Sequence, residues 1–91
     1  MKIYTLEMFR GSYSKTVSPY AGTSSTTMHK TFSDAESYVK DILRVREENG
    51  CIISCYFDII NEAEKRKRLY ILKTKTGYET FFITIDWGIA L

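Results

Sequence analysis

An α+β fold, one amphipathic helix packed on an antiparallel sheet of four or five strands in the order β(β)αβββ, is predicted by three observations. A capped helical signature runs from Ser33 to Gly50. The segments after it switch to a period of two, as pleated strands do. The connections between those segments are short, which makes the three C-terminal strands an antiparallel meander. A helix stripe and a sheet face each need a partner to bury their apolar side, so the helix is expected on one face of the sheet.

Each element has its own signal. In Lys2 to Arg10, Tyr4, Leu6 and Met8 alternate with Thr5 and Glu7, the pattern of a half-buried strand. Residues 11–27 follow, nine of the seventeen being Ser or Thr, with the chain's single Pro among them. Gly11 and Ser12 suit a tight hairpin turn with Tyr13 to Val17 returning as a strand; the alternative is one long loop. Thr26 to Phe32 reads as a short strand leading to the helix. There Ser33 is a natural N-cap, and Glu36 completes a capping box. Ala35, Tyr38, Val39, Ile42 and Leu43 form the buried stripe, Glu36 and Lys40 an i, i+4 pair, and Gly50 the left-handed terminator. Cys51 to Ile60 is apolar on nearly both sides, which predicts a central strand. Residues 61–67 read as a charged connection, Leu69 to Thr74 as a strand and Thr76–Gly77 as a turn. Tyr78 to Trp87 is the last strand, burying Phe81, Ile83, Ile85 and Trp87.

The 91 residues make a single domain, 1–91, with 44% apolar and 26% charged residues. No apolar run is long enough to span a bilayer. The N-terminus places Glu7 within its apolar part and lacks a signal-peptide pattern, so a cytoplasmic, intracellular protein is expected. Cys51 and Cys55 would lie roughly 13 Å apart in one strand. That is too far for a disulfide, so both are expected to be buried, reduced core thiols. With His29 as the only histidine, no metal-ligand spacing exists, and neither metal nor cofactor is expected.

Charge carries the clearest functional signal. Residues 65–75, KRKRLYILKTK, hold six of the thirteen basic residues and no acid, against seven basic and eleven acidic residues elsewhere. A net charge of +2 thus conceals a polarised molecule, which attracts an oppositely charged partner. The candidate binding residues are Lys65, Arg66, Lys67, Arg68, Tyr70, Lys73 and Lys75. Tyr13 and Tyr20, set in Ser-rich sequence, are secondary candidates. Alternation puts Arg68, Tyr70 and Leu72 on one face of the strand and Lys67, Leu69, Ile71 and Lys73 on the other. A basic strand of this kind suits phosphate contacts, an acidic protein surface, or protection of a sheet edge.

No catalytic constellation is legible. His29 has no acid placed in sequence to orient it, and Asp34 and Glu36 are accounted for by the helix N-terminus. The expectation is therefore a non-enzymatic binding protein acting by surface occlusion. The abundance of Lys, Ile, Tyr and Phe is the bias of an AT-rich genome, which points to a phage or mobile-element inhibitor of a host protein such as a nuclease or defence complex. The alternative is a nucleic-acid-binding module using residues 65–75. A small ribonuclease ranks last. Its layout is similar to that of ribosome-dependent ribonuclease toxins, but those are far more basic, and layout alone confers no function.

Overall fold

In the computed structural model, which describes residues 1–12, 22–60 and 63–90, the chain runs β1 (Lys2–Ser12), β2 (Thr23–His29), α1 (Phe32–Glu48), β3 (Ile52–Ile60), β4 (Arg66–Lys73) and β5 (Tyr78–Ile89). The five strands form one antiparallel sheet in the order β2-β1-β5-β4-β3. The first and last strands therefore meet in the middle of the sheet. β1 pairs with β5 from Lys2↔Ile89 to Ser12↔Glu79. None of the helices among the described residues is long and apolar enough to cross a membrane.

One sheet face packs on α1. It presents Tyr4, Leu6 and Met8 from β1, Tyr70 and Leu72 from β4, and Phe81, Ile83 and Ile85 from β5, all buried. The helix contributes Ala35, Val39 and Leu43, with Phe32 and Ile42 partly buried beside them. Tyr38, expected in this stripe, is 40% exposed and lies against His29, with ring centroids 5.3 Å apart. The far face has an apolar row of its own. Phe9, Phe82, Leu69 and Phe57 are register partners across four strands. Ring centroids in this row are 6.0 Å apart for Phe9–Phe82 and 5.9 Å for Phe57–Phe82, and Leu69 is buried among them.

Several expectations are corrected. The N-cap is Thr31, not Ser33. Its backbone is extended, its Oγ1 accepts the Asp34 N–H at 3.0 Å, and its carbonyl accepts the Ala35 N–H. Starting the helix two residues earlier lets Phe32 pack edge-on against Tyr4. Glu36 is then drawn to Arg66 rather than to a cap or to Lys40. The C-terminus ends as expected: Gly50, at φ 91, donates to the Glu47 carbonyl while Cys51 donates to that of Arg46, a Schellman motif.

Gly11 and Ser12 do not turn. They continue β1, opposite Thr80 and Glu79, because β5 offers a partner along the whole strand. The predicted return strand, Tyr13 to Val17, lies outside the described residues, as do Tyr20 and residues 61–62. β2 begins at Thr23, earlier than expected, and ends at His29. Gly22 precedes it at φ 126, where a Cβ would stand 2.0 Å from the Arg10 carbonyl oxygen, so only glycine fits.

The largest correction concerns β3. It is an outer strand of the sheet, not a central one. Cys55 is exposed and Cys51 only half-buried; both thiols are free. The cause is topological. β5 pairs with β1 on one side and β4 on the other, which leaves the first strand of the meander outermost.

Candidate binding surface

The basic run divides by the pleat of β4. On the helix side, Arg66 and Arg68 converge on one carboxylate. Arg66 grips Asp58 with two bonds, Nε to Oδ1 at 2.9 Å and Nη2 to Oδ2 at 3.0 Å. Arg68 Nη2 donates to the same Oδ2 at 2.6 Å. Arg66 also pairs with Glu36 on α1, and Arg68 Nη1 donates to the Tyr70 hydroxyl at 2.5 Å. The chain of bonds thus joins α1, β4 and β3. Hydrogen bonds from Arg68 and then Arg66 hold the Asp58 carboxyl down at about 2. Asp58 in turn raises the pKa of both guanidinium groups.

These arginines are consequently occupied. Their side chains are 14% and 19% exposed, and Tyr70 is 8% exposed within the core. Tyr70 is not displayed for stacking on a base. The edge-protection reading of the run is also overturned, because β4 lies between β5 and β3 and has no open edge.

The lysines are placed differently. Lys65 pairs with Asp86 at 3.3 Å and lies 5.1 Å from the centroid of the Trp87 ring. Lys2 approaches the same ring at 4.4 Å and also reaches Glu64 at 3.4 Å. Trp87 is pinned by its indole N–H, which donates to the Ala63 carbonyl at 3.1 Å. The Tyr4 hydroxyl donates to Glu64, which lowers the Glu64 pKa and raises that of Tyr4. This cluster ties both chain ends of the sheet to the β3–β4 connection.

Lys67, Lys73 and Lys75 are exposed and form no salt bridge within 4 Å among the described residues, although the charge of Lys67 helps, after Lys65, to lower the Asp86 pKa. Lys67 and Lys73 project from the far face of β4, opposite Ile59 and Ile52 of β3. They are the only charged residues on the far face of the β3–β4 ribbon, since Asp58 points to the helix side with Arg68.

Beside them stands what the sequence reading missed. β3 exposes Ile52 by 66%, Tyr56 by 75%, Ile59 by 46% and Ile60 by 60%. Tyr56 has no partner in β4, because the register shifts between Cys55 and Phe57, a β-bulge. Large apolar side chains are normally withheld from an outer strand, since they invite pairing. The opposite outer strand, β2, has the sequence TSSTTMH and exposes a single large apolar side chain, Met28. The available signal was the similar length of the N- and C-terminal segments, 11 and 12 residues as strands, which suits them as sheet partners and leaves β3 outermost.

Among the described residues, the remaining titratable groups do not assemble into a reactive site. His29 lies on the outer strand β2, with Nε2 2.8 Å from Thr27 Oγ1. Among the described residues, no three His, Cys, Asp or Glu side chains come together in a metal-binding arrangement. No protein-family model matches the chain, and a comparison with curated proteins finds no relative.

Proposed function

We propose that the chain is a non-enzymatic binding protein that acts by occupying the surface of an acidic protein partner. The observation that carries this reading is the juxtaposition on one ribbon of exposed apolar residues with exposed lysines: Ile52 and Ile59 stand opposite Lys73 and Lys67, and Tyr56 and Ile60 are exposed on the same strand. Apolar area supplies affinity on desolvation, and the lysines supply orientation and association rate toward negative charge. With the compositional bias, this favours a phage or mobile-element modulator of a host protein such as a nuclease or defence complex. The nucleic-acid alternative is weakened by the engagement of Arg66, Arg68 and Tyr70 within the fold. It is left with lysines alone, which bind phosphate as point charges.

The test is affinity capture from host lysate, with and without nuclease, using the parent and a Lys67→Glu/Lys73→Glu variant. The expected result is a defined protein retained after nuclease treatment by the parent and lost by the variant. Capture that disappears with nuclease assigns the surface to nucleic acid instead. A captured set identical for parent and variant overturns the reading.

A further inference from the structure

We infer that the partner contributes an extended segment that adds antiparallel to the outer edge of β3 at Phe57–Ile60, with an apolar residue and an acidic residue two positions apart on the far face. This inference rests on the proposed function and specifies its mode. Three observations converge on it. β3 is terminal in the sheet, so its outward N–H and C=O groups have no strand partner among the described residues. Backbone pairing is what such an edge offers a ligand, with alternate side chains providing specificity.

The second observation is the far-face row Phe9–Phe82–Leu69–Phe57, which stops at that edge. An apolar side chain from an added strand would extend the row by one place and cover the half-buried Phe57. The third is charge. The next far-face row in β3 and β4 is Ile59 and Lys67. An added strand lies about 4.8 Å beyond β3 and hence about 10 Å from β4. A lysine and a glutamate side chain bridge that distance together over Ile59. Asp58, the only acid of β3, is turned to the helix side and neutralised by Arg66 and Arg68, so it does not repel an acidic strand. The bulge at Tyr56 breaks the edge, which confines regular pairing to the four residues after it. A second copy of the chain is disfavoured as occupant, because its own β3 offers no uncompensated acid to Lys67.

The experiment uses the full chain and three capped peptides: ETFTETFTE, KTFTKTFTK, and the first with every backbone amide N-methylated. Residue-resolved amide exchange and chemical shifts report the site. The acidic peptide is expected to slow exchange within residues 57–60 and to bind at least about tenfold more tightly than the lysine peptide at low salt. That ratio should narrow as salt is added. The N-methylated peptide keeps the side chains but loses its donors, and is expected to lose binding. Equal binding by the N-methylated or the lysine peptide overturns strand addition. So does absence of binding at millimolar peptide, or protection that appears elsewhere in the sheet. Concentration-dependent dimerisation of the chain alone, abolished by Ile59→Lys or by Ile60→Lys, assigns the edge to a second copy and also overturns it.

The two readings fail separately. If lysate capture depends on Lys67 and Lys73 while the peptide does not bind, strand addition fails and surface occlusion stands. If the peptide binds at residues 57–60 but no protein is captured, surface occlusion of a host protein fails while the edge assignment stands.

Discussion

Asp58 is the residue on which the helix, β4 and β3 are jointly fastened, through Arg66 and Arg68. Its folded pKa of about 2 lies below the ordinary value of 3.8. A depressed carboxyl contributes stability above its unfolded pKa and loses it as pH falls through the folded one. The window is therefore about pH 4 to pH 2. Thermal melts across that window should drop more steeply for the parent than for Asp58→Asn, which lacks the titrating group. At neutral pH, Asp58→Asn should cost about 1.5–3 kcal/mol, as expected for hydrogen bonds to charged partners. Parallel pH profiles for the two proteins would show that the carboxylate contributes nothing specific. The cysteines give a second test at this scale. Cys55 is exposed on an outer strand and Cys51 half-buried at the start of β3. An alkylating reagent should label Cys55 in the folded protein promptly and Cys51 more slowly, followed by mass spectrometry. Neither the bond to Asp58 nor the exposure of Cys55 was readable in advance. The first depends on the register of β3 on β4, bulge included, and the second on β3 being outermost, whereas alternation reports only which side of its own strand a residue occupies.

At the scale of elements, the helix was legible because its signals are local. The stripe Ala35, Val39, Leu43 needs only the 3.6-residue period, and the Gly50 terminator only a left-handed backbone. Its start was misplaced by two residues because Thr31 and Ser33 are both competent caps. The choice between them falls to Phe32, whose ring finds Tyr4 across the core. Tyr38 was misassigned for a related reason: it sits at the margin of the stripe, over His29 at the end of the outer strand β2 rather than over the core of the sheet. Leu43→Ala should accordingly cost about 2–5 kcal/mol through a core cavity. Tyr38→Ala should cost clearly less, because the ring is 40% exposed. Urea denaturation that ranks them in the opposite order would place the helix in a different rotation about its axis. β3 shows the limit of local reading. A strand apolar on both sides is ordinarily central, yet here it is outermost, and Ile52, Tyr56, Ile59 and Ile60 remain exposed.

At the scale of the whole molecule, the sheet order decides what the charge run does. In sequence, Lys65 to Arg68 is one basic block. In the fold, the pleat sends Arg66 and Arg68 toward α1 and Lys67 toward the far face, while Lys65 turns to Asp86 and Trp87. One stretch of charge is thus partly fastening and partly display, and substitutions should separate the two. Lys67→Ser/Lys73→Ser/Lys75→Ser removes only exposed groups outside the arginine network, so stability should stay within about 0.5 kcal/mol per site. Arg66→Gln/Arg68→Gln is more disruptive. It leaves Asp58 and the 15%-exposed Glu36 without their compensating cations between helix and sheet. That change should cost about 2–4 kcal/mol, below the range for fully buried pairs because Asp58 retains some solvent access. The arginine variant should also lose the steep acid dependence, since the carboxyl then has no cation to depress its pKa. The lysine variant should keep that dependence while weakening capture of an acidic partner. Equal destabilisation by both sets, measured by urea denaturation at neutral pH, would contradict this division and return the run to a single role.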